Sequence, residues 1–249
     1  MCLIKGLGEK DYRATDGFSS SELKSFATAQ TPLHFALQKY KTTKSLALGS
    51  LAHIMCFEPH RMEEFQIIPG RRSKKDPANA IKEDDFKKAK IISDNVRNHP
   101  LLKDSLKEGY AEESAFWTDE KGHSCKARFD FRSEKEKIIF DLKTSQSSDP
   151  INRFGFRKFA QNFRYDIQAA HYIDGARAST GNDYRFLLIA VENEHPHTVS
   201  VCEFDLETLE EARREISQIK EEITLRRKNN LWEAWSPEVY TINFSKGSY

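Results

Sequence analysis

The chain has 249 residues and a mass of 28.8 kDa, enough for one large domain with a substantial core, which excludes a peptide-scale or disulfide-stapled scaffold. Charged residues make up 31% and apolar residues 38%, with 17 Phe against 11 Gly and 8 Pro, which excludes a disordered chain. The 39 Lys and Arg nearly cancel the 38 Asp and Glu, and a net charge of +1, taken alone, argues against a polyanionic partner.

Residues 1–60 read as helical. Ser19, Ser20, Ser21 and Glu22 resemble an N-cap with an acidic first turn ahead of Leu23 and Phe26, and Pro32 can open a helix over 33–39. A third helix is expected over 45–57, stopped by Pro59. Residues 61–81 read as an irregular basic loop, followed by a charged helix over 83–97 that ends before Pro100. From Ala111 the period changes to two, and Asp119, Glu120, Lys121 and Gly122 supply turn chemistry, so residues 111–117 and 125–131 predict a hairpin. A third strand is expected over 138–143, a helix over 159–178, a second hairpin from 184–191 and 198–204, and a long helix over 206–229. The order predicts an α/β fold: a mixed β-sheet flanked by helices, with an N-terminal helical region. No linker separates two cores, so one domain is expected over 1–249: a helical part to 60, a sheet core over 111–204 and a C-terminal helix and tail from 205.

The longest apolar run, residues 186–191, is far short of the roughly 20 residues that span a bilayer, and residues 1–8 are too short for a signal peptide. A cytoplasmic address follows as an expectation. Cys2, Cys56, Cys125 and Cys202 are scattered with no CxxC pair, as thiols in a reducing compartment would be.

The informative stretch is Asp130 and then Asp141, Leu142, Lys143 and Thr144. Asp141 and Lys143, two apart at the end of an apolar strand, point to one face of the sheet. If the preceding strand pairs antiparallel, Asp130 comes alongside Asp141, and two converging carboxylates are costly unless a cation neutralises them. Hard oxygen ligands select Mg²⁺ or Mn²⁺, and carboxylates, divalent metal and lysine together describe phosphodiester hydrolysis. On these three residues alone, an exposed salt-bridge cluster is the simpler explanation. His53, likewise, on a helix with Leu48, Leu51 and Ile54 also fits a packed core histidine, and Gln168 and Tyr172 also fit a helix packed on a sheet.

Taken with Gly49 and His53 as G-x-x-x-H, Glu112 on the preceding strand and Gln168 to Tyr172 as QxxxY, the order resembles the PD-(D/E)xK nuclease core of RecB-like enzymes. Within that group the chain is most similar to the RecE-type exonucleases (exonuclease VIII), over residues 12–245. The resemblance implies that Asp130 and Asp141 bind metal with the backbone carbonyl of Leu142, that Lys143 orients the attacking water, and that His53 and Glu112 complete the metal shell. It implies that Gln168 and Tyr172 hold the site in place, with Glu113 less suited than Glu112 because its side chain should face away. Phe129 stands where the family usually has Pro.

The resemblance further implies a Mg²⁺-dependent 5′ to 3′ exonuclease on double-stranded DNA ends, Mn²⁺ being an alternative ion. It would be bacterial or phage-encoded, a ring-like homotetramer, and would leave 3′ single strands for an annealing protein of RecT type. A structure- or sequence-selective endonuclease shares the same metal core, and a silent DNA-binding or assembly module is the other class of reading; intact Asp130, Asp141 and Lys143 argue against the latter. Relatives with an iron–sulfur cluster hold it with clustered C-terminal cysteines; Cys202 stands alone, so none is expected. For DNA contacts, Arg71, Arg72, Lys74 and Lys75 form one basic run, and Arg157, Lys158 and Arg164 interleave with Phe154, Phe156, Phe159, Phe163 and Tyr165 in another.

The charge is uneven. Residues 183–249 hold 8 basic and 13 acidic side chains, so residues 1–182, with every candidate site residue, carry a balance of +6. The near-zero total therefore ceases to argue against DNA, and the acidic C-terminal helix is expected to face away from it or toward another subunit.

Overall fold

The computed structural model describes residues 1–38, 48–71, 73, 75–145 and 153–235. In chain order these form β1 (Cys2–Ile4), α1 (Glu9–Ala14), α2 (Ser20–Thr28), α3 (Pro32–Ala36), α4 (Leu48–Phe57), β2 (Gln66–Ile68), β3 (Ala80–Lys82) and α5 (Glu83–Arg97). There follow β4 (Tyr110–Thr118), β5 (Ser124–Ser133), β6 (Ile138–Ser145), α6 (Arg153–Asn162), α7 (Tyr165–Thr180), β7 (Arg185–Glu192), β8 (Val199–Cys202) and α8 (Leu206–Asn229).

Local chemistry sets several ends. The Ser19 hydroxyl accepts from the Glu22 N–H and starts α2, and Asp205 accepts from the Thr208 N–H to start α8. α5 opens on Glu83, Asp84 and Asp85 and closes on Arg97, matching the helix dipole at both ends. α7 stops at Gly181, whose left-handed φ of 73° closes the last turn.

The main sheet has the order β1-β4-β5-β6-β7-β8. All its pairs are antiparallel except β6 and β7, which run parallel because α6 and α7 carry the chain across the sheet between them. Two cores result. On one face Trp117, Phe129, Ile139 and Leu188 pack under α2, α7 and α8; on the other Phe131, Phe140, Leu142 and Ile189 pack under α4 and α5.

The alternation of faces reverses at one row. Ala115 and Trp117 of β4, with Ala127 and Phe129 of β5, face the first core, whereas Ala111 and Phe131, in phase with them, lie in the second. Between them Glu112 has a left-handed φ of 50° and stands opposite Asp130 in the register set by Ala111 with Phe131 and Glu113 with Phe129. A non-glycine residue held there costs on the order of 1–3 kcal/mol and is typical of functional sites. One strand over, β5 and β6 pair only from Phe131 with Phe140 to Ser133 with Ile138. The ladder opens just beyond, where continued register sets Asp130 opposite Asp141. In the gap Asp130 Oδ2 accepts the Leu142 N–H at 2.9 Å, replacing the lost strand partner.

The structure corrects several expectations. Residues 61–81 are not wholly irregular: a short tight helix over Pro59–Glu64 leads to β2, which pairs parallel with β3. The expected helix over 159–178 is two helices, broken at Arg164, whose left-handed φ of 50° turns the chain into α7. The N-terminal part is not only helical, since β1 pairs with β4 as an edge strand. The C-terminal helix does not face wholly away from the candidate site: Thr224 and Arg227 near its basic end line the cleft described below.

Candidate metal centre and active-site cleft

The opened end of the sheet forms the floor of a cleft of ≈ 1840 Å³, walled by the β1 to α1 segment, the start of α2, α4 and the end of α8. Pockets that enclose small ligands hold roughly 300–1,000 Å³, so this one is of polymer size.

α4 brings His53 to the floor. Gly49 makes that possible: a Cβ there would lie 2.8 Å from Thr144 Oγ1, so only glycine lets the helix lie this close to the end of β6, and His53 follows one turn later on the same face. His53 Nε2 is 3.2 Å from Asp130 Oδ2, and Nδ1 is 3.6 Å from Glu112 Oε1. One ligand atom from each of His53, Glu112 and Asp130 lies within 4.8 Å of the others. Arg128 Nε flanks Glu112 at 3.7 Å. Glu113 faces elsewhere, into a buried pair with Arg132 at 2.6 Å.

Asp141 lies beneath, with no exposed surface. Its Oδ2 accepts the Gln168 amide at 2.5 Å, and its Oδ1 faces the Lys143 ammonium as an ion pair but accepts no directed hydrogen bond. Tyr172, one turn past Gln168, packs edge-on against Phe129 at 5.4 Å and lines the cleft. Leu142 buries its side chain, ties Asp130 through its N–H and also reaches the cleft.

These contacts set the charges. Burial raises the Asp141 carboxyl above the usual carboxylate range, and the neighbouring Asp130 adds to the rise. Asp130 is itself held low: burial opposes its charge, but His53, Lys143 and the Leu142 N–H outweigh it. Burial and then Asp130 push Glu112 up to about 7. For His53 burial opposes the charged form, yet the Asp130 carboxylate, with Glu112 behind it, pushes the ring up to about 9.

With both ring nitrogens against carboxylates, the His53 imidazolium is the cation that these acids hold in the absence of another. The donor set fits a divalent metal: clustered hard oxygens, one imidazole and a buried carboxylate oxygen that is met only by the Lys143 ammonium. A cation bound here must displace the protons of Glu112 below about pH 7 and of His53 below about pH 9. Affinity for Mn²⁺ is therefore expected to rise from pH 6 to pH 9 with proton release. Calorimetry in two buffers of different ionisation enthalpy measures this, and a pH-independent affinity would contradict it.

The expected DNA contacts lie apart from the floor. Arg71, Lys75, Arg157 and Lys158 are exposed but do not line the cleft. Arg72 and Lys74 lie outside the described residues. Arg164 is spent otherwise: its guanidinium pairs with Asp166 at 2.9 Å and with Glu215 of α8 at 2.8 Å, joining α7 to α8. Among the described residues, the lysines and arginines that line the cleft are Arg13, Arg61, Lys126, Arg128, Lys143 and Arg227. Most of these come from segments with no basic run, so sequence spacing carries no sign of them. The same holds for Lys24 of α2, whose ammonium donates to Gln168 Oε1 at 2.7 Å.

A scan of protein families matches residues 19–238 to the PDDEXK-like domain of unknown function DUF3799. The chain belongs to this family. That membership places it in the PD-(D/E)xK nuclease superfamily, and the mixed sheet with its acid and lysine row is the corresponding fold. A search of curated proteins finds no match. Among solved structures the chain is similar to a provisionally named exonuclease from Eubacterium rectale, with a TM-score of 0.66 and 19% identity over 91% of this chain and 88% of that one. It is also similar to a phage-related exonuclease from Haemophilus somnus, with a TM-score of 0.41 and 12% identity over 87% and 98% of the two chains. The first likeness shows a shared fold. Among the described residues no helix is long and apolar enough to cross a membrane.

Proposed function

We propose that this PDDEXK-like protein is a divalent-metal-dependent deoxyribonuclease that degrades linear duplex DNA from its ends, 5′ to 3′, with Mg²⁺ as the ion. The observation that carries the reading is the convergence of His53, Glu112, Asp130 and Lys143 on one floor of a polymer-sized cleft, with Asp141 buried beneath and paired to Lys143. Asp130 and Asp141, with the Leu142 carbonyl, His53 and Glu112, would hold the cation. A cation there supplies Lewis-acid polarisation of the phosphodiester and neutralises charge that builds as it is hydrolysed. Lys143, fixed by Asp141, presents a permanent positive charge to a phosphoryl oxygen and a donor to a water. Gln168 keeps Asp141 from rotating, and Tyr172 walls the site.

Phosphates would be met by the arginines that line the cleft. Arg13 pairs with Glu9, Arg61 with Glu58 and Arg227 with Glu22. Such partly exposed pairs are worth only about 0–1 kcal/mol, so a polyanion exchanges them at little cost. The end-directed polarity, the homotetramer and an annealing partner of RecT type follow from the RecE-type resemblance.

An end-labelled linear duplex, incubated beside a covalently closed circle with Mg²⁺ or with chelator, tests this. Mg²⁺-dependent loss of label from the linear duplex with the circle intact is expected. Cutting of the circle would replace the exonuclease with an endonuclease, and an inert linear duplex would remove the enzyme. A monomer mass by light scattering would count against the ring.

A further inference from the structure

The amide of Gln168 fits its site in two orientations of the same shape, and only one is useful. With Nε2 toward Asp141 it donates to the buried carboxylate; flipped, it sets oxygen against oxygen. Asp141 alone selects between them weakly once a cation draws its charge away. The far end of the amide decides. Lys24 Nζ donates to Gln168 Oε1 at 2.7 Å, and Gln168 Nε2 donates to Asp141 Oδ2 at 2.5 Å. An ammonium has only donors and a carboxylate only acceptors, so an amide between the two has one orientation.

Lys24 is itself held. Its ammonium lies 5.1 Å from the centroid of the Tyr165 ring, and the same ring takes Lys143 at 5.4 Å. The Tyr165 ring is thus close to two lysines that both reach Asp141, one directly and one through Gln168. This occupies Oδ2 and leaves Oδ1 to Lys143 and to a cation. The position of Asp141 thus depends on α2, an element outside the catalytic strands that also lines the cleft through Ser20 and Ser21.

We propose that Lys24 is a positioning residue of the metal centre: by donating to Gln168 it locks the amide, which holds Asp141 with Oδ1 turned toward Lys143 and the cation. The kinetic part of this inference rests on the nuclease reading; the part concerning metal affinity does not. Partners of this kind alter metal affinity by roughly 10- to 100-fold when lost.

The test uses the full chain as Lys24→Met, Lys24→Arg, Gln168→Leu and Lys24→Met with Gln168→Leu, each confirmed folded by its thermal melt. Mn²⁺ affinity by calorimetry and the side-chain amide resonances of Gln168 are the readouts that need no activity. Lys24→Met is expected to weaken Mn²⁺ binding by about tenfold or more, to shift the Gln168 amide signals, and to lower kcat with little change in KM for DNA. Lys24→Arg should restore most of each, and Lys24→Met should add nothing in the Gln168→Leu background. An unchanged Mn²⁺ affinity and amide spectrum with a raised KM would overturn the proposal and make Lys24 a substrate contact. Additive losses in the double variant would overturn it as well. If the wild type binds Mn²⁺ but hydrolyses no DNA, and Lys24→Met still weakens the metal, the nuclease reading fails and the positioning role stands.

Discussion

Asp141→Asn is expected to remove phosphodiester hydrolysis by on the order of 10³-fold or more, while leaving the protein close to the wild type in stability. The two effects have one cause. Asp141 is wholly buried, and burial, with Asp130 behind it, holds its carboxyl above the ordinary range. A carboxyl raised in the folded state contributes stability that is full below its unfolded pKa of roughly 4 and is lost as pH rises through the folded value. At neutral pH the ionised group is thus a cost to folding; the amide removes that cost but sets its NH2 against a donor, Lys143 Nζ or Gln168 Nε2, which offsets part of the gain. Lys143 loses one partner but keeps Asp130, so its charge is not stranded. Activity in Mg²⁺ beside a thermal melt separates the outcomes: a melt well below the wild type would show that Asp141 serves the fold rather than the site.

Arg132→Met is expected to have the opposite profile, a loss of about 3–5 kcal/mol of stability read by urea unfolding. Arg132 and Glu113 are nearly fully buried, with side chains 3% and 1% exposed, and the guanidinium also donates to Glu134 and Tyr184. Removing the arginine strands the Glu113 carboxylate, whose Oε1 already accepts no hydrogen bond among the described residues. Replacing both, as Arg132→Met with Glu113→Leu, should recover most of the loss, because burying two apolar side chains avoids desolvating two charges. The pair adjoins the row that carries Glu112 and Asp130, and it fixes which face of β4 Glu113 presents. If the double variant is as unstable as the single one, the cost lies in packing rather than in the uncompensated charge.

The row at the open end of the sheet shows what was legible in the sequence. The spacing of Asp141 and Lys143 leads, on condition of an antiparallel neighbour, to the expectation of Asp130 alongside Asp141; the β5–β6 ladder stops one pair short of that row, and Asp130 reaches the Leu142 N–H instead. The bounds expected for α5, over 83–97, and for α8, over 206–229, match the structure. The left-handed turn at Glu112 was not: no glycine marks it, and only the reversal of faces in the packed sheet reveals it. Arg164 breaks α6 from α7 for the same hidden reason, so one residue of a basic run that read as a phosphate contact became a clamp to α8. The short strands β1, β2 and β3, three residues each, carry too few positions for a period to be seen. Lys24 escaped because its role depends on α2 lying against α7, a contact between residues 144 positions apart.

The measurement that bears most directly on the account is anomalous diffraction from crystals of the wild-type protein grown with Mn²⁺. A peak within coordination distance of both Asp130 and Asp141, absent from Asp141→Asn crystals, is the predicted result. Mn²⁺ elsewhere on the chain, with His53 still bridging Glu112 and Asp130 over an empty floor, would contradict it.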